Sequence, residues 1–372
     1  MMDYPIRVGI THGDVNGVGY EVILKAVGEE GVAELFTPVI FGISSIANKA
    51  KEQFGLQNLR LNIANDWSGV KDGMVNLYEI KGEVPELQPG QIDKVSGKSA
   101  VKALEEAVIA LKNGDIDVLV TAPISKEAVQ SEAFKFPGHT EFLTDRIGDG
   151  KEAMMILCND SLRVALLTVH VPVTKIAENI TEDKIVEAVE KFASTLKKDF
   201  GIVRPTIAVL SLNPHAGDGG LLGKEEEEII KPALNKLIQN GILAFGPYPA
   251  DGFFGHGSYK KFDGVLAMYH DQGLAPFKTI ASSGGVNFSA DLPFVRTSPD
   301  HGTAFDIAWK GEADPASMRD AIYMAIDIFR RRKTYEEASA NPLKKYVHER
   351  PERGDRHDRF QFKNDLTTET DD

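Results

Sequence analysis

The feature that most constrains this chain is an alternation repeated from Ile6 to about Arg330. Short, nearly continuous apolar runs are separated by stretches of helical periodicity. Ile6–Ile10, Thr37–Ile43, Asp117–Pro123, Arg163–His170, Thr206–His215 and Gly264–His270 read as strands with apolar side chains on both faces. A strand buries both faces only when its sheet is covered on both sides, so the pattern predicts an α/β fold. Val101, Leu104, Val108 and Leu111 form one helical stripe, with Gly114 as its stop. Thr181 is placed to cap a helix burying Ile185, Val189, Phe192 and Leu196, and Lys197 and Lys198 suit its C-terminal end. Glu225–Glu228 open another helix that ends at Gly241; the helix dipole accounts for those acids, and no functional role is assigned to them.

At 372 residues the chain predicts two domains, or one large α/β unit with a split. Its composition, 42% hydrophobic and 26% charged, is that of a globular protein, and no apolar run approaches the roughly 20 residues of a membrane helix. A net charge of -13 disfavours non-specific nucleic-acid binding but allows a local cationic site for a small anion. The first residues carry no basic stretch followed by an apolar one, so no export signal is expected. A lone cysteine, Cys158, excludes an internal disulfide and suits a reducing cytoplasm. From about Asn341 the mixed-charge tail reads as a flexible appendage; acids interspersed among its bases disfavour a basic docking role.

His170, His215 and His270 each close an apolar run, and ligand crevices of open α/β sheets lie beyond the carboxyl ends of strands. Three imidazoles with an open position make a catalytic site for zinc or another divalent ion. A single histidine after a strand is more often a satisfied structural residue, and the metal reading rests on the same placement occurring three times. Asp271 beside His270 is placed to orient a ligand or bind substrate.

Downstream, Lys278, Asn287 and Arg296 stand among glycines and prolines, an arrangement suited to loops lining a cleft, with His139 and Thr140 on a Gly-Pro turn. Arginine offers a planar fork for phosphate or carboxylate, and lysine a mobile point charge. The glycines of Thr11–Glu21 fall at Gly13, Gly17 and Gly19, which is not the dinucleotide fingerprint. A tight strand-to-helix turn explains that loop at least as well as a phosphate cradle.

Taken together, THGDVNGVGYE, VTAPISKEA, FPGHTEF, LRVALLTVHVP, LNPHAGDGG, MYHDQGL and GVNFSADLPFVRTSPDHGTAFDIAWKG resemble the 4-hydroxythreonine-4-phosphate dehydrogenase family of pyridoxal 5′-phosphate biosynthesis. The segments run in order from Thr11 to about Gly311; the first departs from the family, with His12 and Asp14 where proline and glutamate are usual. The last resembles the adenosine-side cofactor loop of isocitrate and isopropylmalate dehydrogenases, whose fold carries NAD(P) without the fingerprint. The resemblance implies two α/β domains around a central cleft: residues 1–135 with 280–335 on the cofactor side, and 136–279 bearing metal, substrate and dimer contacts. It implies a homodimer with a shared active site, while the lone cysteine, net charge and hydropathy point to a cytoplasmic chain with no nucleic-acid or membrane partner. It places metal ligands on His170, His215 and His270, substrate contacts on His139, Thr140, Lys278, Asn287 and Arg296, and cofactor contacts on His301, Gly302 and Asp306. Lys278 and Asp271 become the candidate catalytic groups, with Lys278 preferred as an anchor over a base. The implied cofactors are NAD or NADP and a divalent ion, zinc foremost, with cobalt, manganese or magnesium as alternatives.

The implied reaction oxidises C3 of 4-phosphooxy-L-threonine and then loses CO₂ to give 3-amino-2-oxopropyl phosphate. The competing readings are oxidation of 4-phospho-D-threonate or 4-phospho-D-erythronate, a three-histidine metal hydrolase, and a non-catalytic phosphometabolite sensor.

Overall fold

The structure is a computed structural model that describes residues 5–131, 134–281 and 284–343. It divides into a compact unit, residues 1–335, and a second from residue 336. The charged tail falls outside the described residues from 344 on.

One twelve-stranded sheet carries the first unit. Its strands are β1 (Arg7–Thr11), β2 (Thr37–Gly42), β3 (Leu61–Ala64), β4 (Val75–Glu79), β5 (Val118–Thr121), β6 (Met154–Cys158), β7 (Arg163–Leu166), β8 (Thr206–Leu210), β9 (Leu243–Tyr248), β10 (Gly264–Ala267), β11 (Val286–Ala290) and β12 (Arg296–Pro299). Their order is β3-β4-β2-β1-β5-β12-β11-β6-β7-β10-β8-β9. The strands from β3 to β12 in that order run parallel, β11 pairs antiparallel with both β12 and β6, and β6 pairs antiparallel with β7. From β7 to β9 the pairing is parallel again. The sheet's direction therefore switches at its centre, where β11 and β6 lie between the two parallel runs.

The continuous apolar runs behave as their composition requires. Every residue of β2 and β5 is buried, as expected for strands covered on both faces. The helix Lys94–Asn113 starts at Asp93, whose carboxylate accepts from Ser96 N, and ends at Gly114 in the left-handed region (φ 75°). Thr181 accepts from Lys184 N and opens the helix Glu182–Lys198, whose Ile185, Val189, Phe192 and Leu196 are all buried. Each such side chain contributes about 1.5–3 kcal/mol by leaving water. The helix Ala316–Ser339 fastens the central hairpin through Arg332, which is buried. Its guanidinium forms a two-pronged pair with Asp199 (2.7 and 3.1 Å) and donates to the carbonyls of Leu292 and Phe294, in the connection between β11 and β12.

Two local expectations are corrected. Asn287 and Arg296 sit on strands, not loops, because the intervening Asp291–Val295 makes a turn (Asp291 φ 61°) that lets both flanks pair. Glu225–Glu228 do not open a regular α-helix. A π-helical turn, Glu226–Ile230, precedes the helix Lys231–Gln239, and Glu226 is fully buried.

Candidate active site

The floor of the site follows from strand periodicity. Asn287 on β11 stands opposite Ser298 on β12 and Leu157 on β6, and Ser289 stands opposite Met155. Cross-strand partners share a face of the sheet, and Met155, Leu157, Asn287, Arg296 and Ser298 all line one cleft of about 680 Å³. The cleft thus lies over the face of the central strands where their direction switches, rather than beyond the carboxyl ends alone. Its rim holds His139, Thr140, His170, His270, Asp271, Lys278, His301 and Gly302.

Arg296 dominates the electrostatics. It is 3% exposed, and its guanidinium donates to Thr121 Oγ1 (2.6 and 3.1 Å), Ser289 Oγ (3.1 Å) and Thr140 Oγ1 (3.5 Å). No carboxylate lies within ion-pair distance of it among the described residues. Burial pushes its pKa down to about 10, partly opposed by Glu141, so it remains a cation at neutral pH. A buried cation held only by hydroxyls is a site for an anion. His139 is driven well below the usual histidine range, chiefly by desolvation and then by Arg296, and is therefore neutral. His139 and Thr140 open the helix His139–Ile147, and His270 opens the helix His270–Ile280; neither has a side-chain N-cap. The first residues of both helices line the same cleft, where helix N-termini favour negative charge.

Lys278 lies in the last turn of the second helix, and its ammonium donates to Asp300 O (3.3 Å). Asn287 Oδ1 and His301 Nε2 are buried without a hydrogen-bond partner among the described residues. His301 Nδ1 lies 2.9 Å from Gly302 O, and a Cβ at Gly302 would meet nothing within 4 Å. The open space at Gly302 has room for a bound cofactor beside this segment. Asp306 is exposed and does not line the cleft.

The three strand-end histidines leave neighbouring strands, since β10 pairs with β7 on one side and β8 on the other. Each lies several residues past its strand, so none closes one, and His270 is the first residue of a helix. His170 and His270 line the main cleft; His215 lines an adjoining depression that shares Asp271 with it. No group of three metal-ligating side chains is close enough to hold an ion among the described residues. Within one chain, then, the donors have suitable chemistry but not the placement. Asp271 Oδ1 meets His270 Nδ1 at 2.6 Å, a contact that fixes the orientation of the imidazole.

His215 is displaced by its backbone. His215, Ala216, Gly217, Asp218 and Gly219 are consecutive left-handed residues with φ between 45° and 78°. Three of them carry side chains, each costing roughly 1–2 kcal/mol. Such strain is held by its surroundings and collects at functional positions.

Thr121, Ser289 and Glu141 escaped the sequence reading. Thr121 is separated from Arg296 by 175 residues, so only the pairing of β5 with β12 reveals the contact. The alternation Asn287–Ser289 on a strand was the available signal.

A family model described as "Pyridoxal phosphate biosynthetic protein PdxA" matches residues 34–325. A 4-hydroxythreonine-4-phosphate dehydrogenase of Bacteroides thetaiotaomicron is 50% identical over 356 residues, 96% of this chain and 98% of that protein. A D-threonate 4-phosphate dehydrogenase of Pectobacterium atrosepticum is 35% identical over 324 residues, 86% and 98% of the two chains. The crystal structure of a 4-hydroxythreonine-4-phosphate dehydrogenase from Klebsiella pneumoniae superposes with a TM-score of 0.74 at 31% identity, covering 88% of this chain and 99% of that one. With the α/β architecture shared and the matches spanning nearly the whole chain, this protein belongs to the PdxA family of pyridoxal phosphate biosynthetic proteins.

Proposed function

We propose that the chain is a 4-hydroxythreonine-4-phosphate dehydrogenase acting with NAD or NADP. The observation that carries this reading is Arg296, a buried cation satisfied only by hydroxyls on the floor of a cleft. It is set in a chain 50% identical to a relative of that name. The C3 hydroxyl of 4-phosphooxy-L-threonine is oxidised, its proton going to solvent or a base. The resulting β-keto acid breaks its carboxyl bond, CO₂ leaves, and the electron pair left on the α-carbon takes a proton to give 3-amino-2-oxopropyl phosphate.

A nicotinamide, when bound, supplies the hydride acceptor; His301 and Gly302 are the residues that would hold it. Arg296, Thr140 and Lys278 bind the substrate's phosphate and carboxylate through charge-assisted hydrogen bonds. His139 and Asn287 add neutral polar contacts, and Asp271 holds the His270 imidazole in one orientation. Asp306 remains a proposed cofactor contact on the same segment.

Homodimerisation belongs to the same proposal. Its support is that His170 and His270 share a cleft while His215 faces the adjoining depression, so a second copy would be needed to bring three imidazoles to one divalent ion. Zinc is the first candidate for that ion. The two-domain division at about residues 135 and 280 is likewise proposed, with the direction switch at β11 and β6 in its support. No helix among the described residues is long and apolar enough to cross a membrane.

The test is turnover of the purified protein on 4-phosphooxy-L-threonine and on 4-phospho-D-threonate, with NAD and NADP compared by formation of the reduced nicotinamide. Preference for the aminated acid is expected. Preference for the threonate would overturn the substrate assignment, and absence of nicotinamide reduction on both would overturn the activity. Arg296→Gln should cost roughly a hundredfold or more in kcat/KM, since hydrogen bonds to charged groups contribute about 1.5–3 kcal/mol each.

A further inference from the structure

The buried Glu226 lines neither the cleft nor the adjoining depression, yet it is built into the loop that carries His215. Its Oε1 accepts the backbone N–H groups of Leu212 and Asn213, both at 2.8 Å. Its Oε2 accepts Asn213 Nδ2 at 3.0 Å, and the same amide also donates to Glu225 Oε2 at 2.7 Å. A Cβ on Gly217 would stand 2.7 Å from Glu226 Oε2, so the left-handed run passes directly over this carboxylate. The π-helical turn Glu226–Ile230 sets Glu226 at the head of the following helix; π turns recur at functional positions. From the other side, Gln272 Nε2 donates to Ser211 O (2.6 Å) while its Oε1 accepts Met268 N (2.8 Å). That amide ties the segment before His215 to the segment before His270.

We propose that Glu226 is the positioning residue of His215. Its carboxylate fixes the two backbone N–H groups immediately before the left-handed run, and so fixes where the imidazole stands relative to the cleft. The inference rests on the reading that His215 serves the active site. A buried carboxylate that accepts several hydrogen bonds is a rigid anchor, because no rearrangement satisfies those donors as well. Glu225 touches only the Asn213 side chain of this set and is not required for the backbone geometry.

The decisive variant is Glu226→Gln. One of its arms becomes a donor facing the donors of Leu212, Asn213 or the Asn213 amide, while the helix behind it is unchanged. Amide hydrogen exchange should accelerate by about tenfold or more across residues 215–220 and stay unchanged in β8. With 4-phosphooxy-L-threonine and NAD, kcat should fall about tenfold to a hundredfold with little change in KM for NAD. Glu225→Gln should alter neither reading, and Asn213→Ala should move both in the same direction by less. Unchanged exchange at 215–220 in Glu226→Gln overturns the proposal whatever the turnover does. Should that variant fail to fold, unchanged loop exchange and turnover in Asn213→Ala overturn it instead. If the wild-type protein does not turn over this substrate, the functional reading fails, while the exchange measurement still decides what Glu226 positions.

Discussion

Two loops of nearly the same residue types meet opposite fates. Thr11–Val18 leads out of the last residue of β1 and Asn213–Gly220 follows β8, and each contains a histidine, an asparagine, an aspartate and glycines. In the first, His12, Asp14 and Asn16 are at most 1% exposed. Val18 N donates to Thr303 O (3.0 Å), Trp309 Nε1 to Val15 O (2.8 Å), and Ser96 Oγ to Asp14 Oδ1 (2.5 Å), so the loop is roofed by other segments. In the second, His215 is exposed and the loop is held from beneath by Glu226. Residue type therefore does not decide between structure and chemistry here; the element that lands on top of the loop decides it. Its burial makes Thr11–Val18 a strand-to-helix turn packed within the fold.

The largest consequence falls on the exposed histidine. His215→Ala should leave the melting temperature nearly unchanged and lower turnover on the order of a hundredfold, ~2.7 kcal/mol of transition-state stabilisation. Full turnover with full divalent-metal content would remove His215 from the site. Mixing His215→Ala chains with His270→Ala chains sharpens the point. A shared site predicts partial recovery of activity in the mixture, and no recovery places each site within one chain.

The buried histidine should behave in the reverse sense, changing stability and not turnover. His12 stacks on Tyr20 (centroids 5.4 Å apart), and burial pushes its pKa to about 4 from 6.5. Between those values the unfolded chain binds the proton and the folded one does not, so stability falls as pH drops through 6.5 toward 4. At pH 5 the loss is about 2 kcal/mol. Asp14 acts in the opposite direction: desolvation raises its pKa, so the folded chain takes up its proton first on acidification. His12→Gln removes only the histidine contribution, and urea unfolding at pH 7 and pH 5 should show a correspondingly shallower acid loss. An unchanged difference between the two pH values would show that His12 titrates normally.

How much of this was legible in sequence depends on the range of the interaction. Thr181 and Gly114 act within one turn of their helices, and their caps were readable from local spacing. His139, Thr140, Lys278, Asn287 and Arg296 were readable as chemical types, and the structure lines one cleft with all five. The strand positions of Asn287 and Arg296 were hidden because a Gly- and Pro-rich stretch resembles a loop until its two halves pair. Glu226 was masked by its acidic neighbours: one member of a charged run turned inward, and only the loop above it shows why.

The smallest expected effect joins the buried loop back to chemistry. Trp309 lies in the segment that resembles a cofactor loop, and its indole N–H is the link to Val15 O. Glu21 accepts Ala313 N (2.8 Å), and Lys25 donates to Gly311 O and Ala313 O, so residues 309–313 are strapped to the first helix, Gly19–Val27. Trp309→Phe keeps the aromatic packing on Phe54 and removes one hydrogen bond to a buried carbonyl, a cost of about 1–3 kcal/mol. If the strap positions His301 and Gly302, part of that loss should appear as a rise of a few-fold, ~1 kcal/mol or less, in KM for the nicotinamide. KM for the phospho-acid should be unaltered, because Arg296 and Thr140 are carried by other elements. A loss of stability with both KM values unchanged would make Thr11–Val18 and its strap structural alone. A rise confined to the phospho-acid would place the cofactor elsewhere.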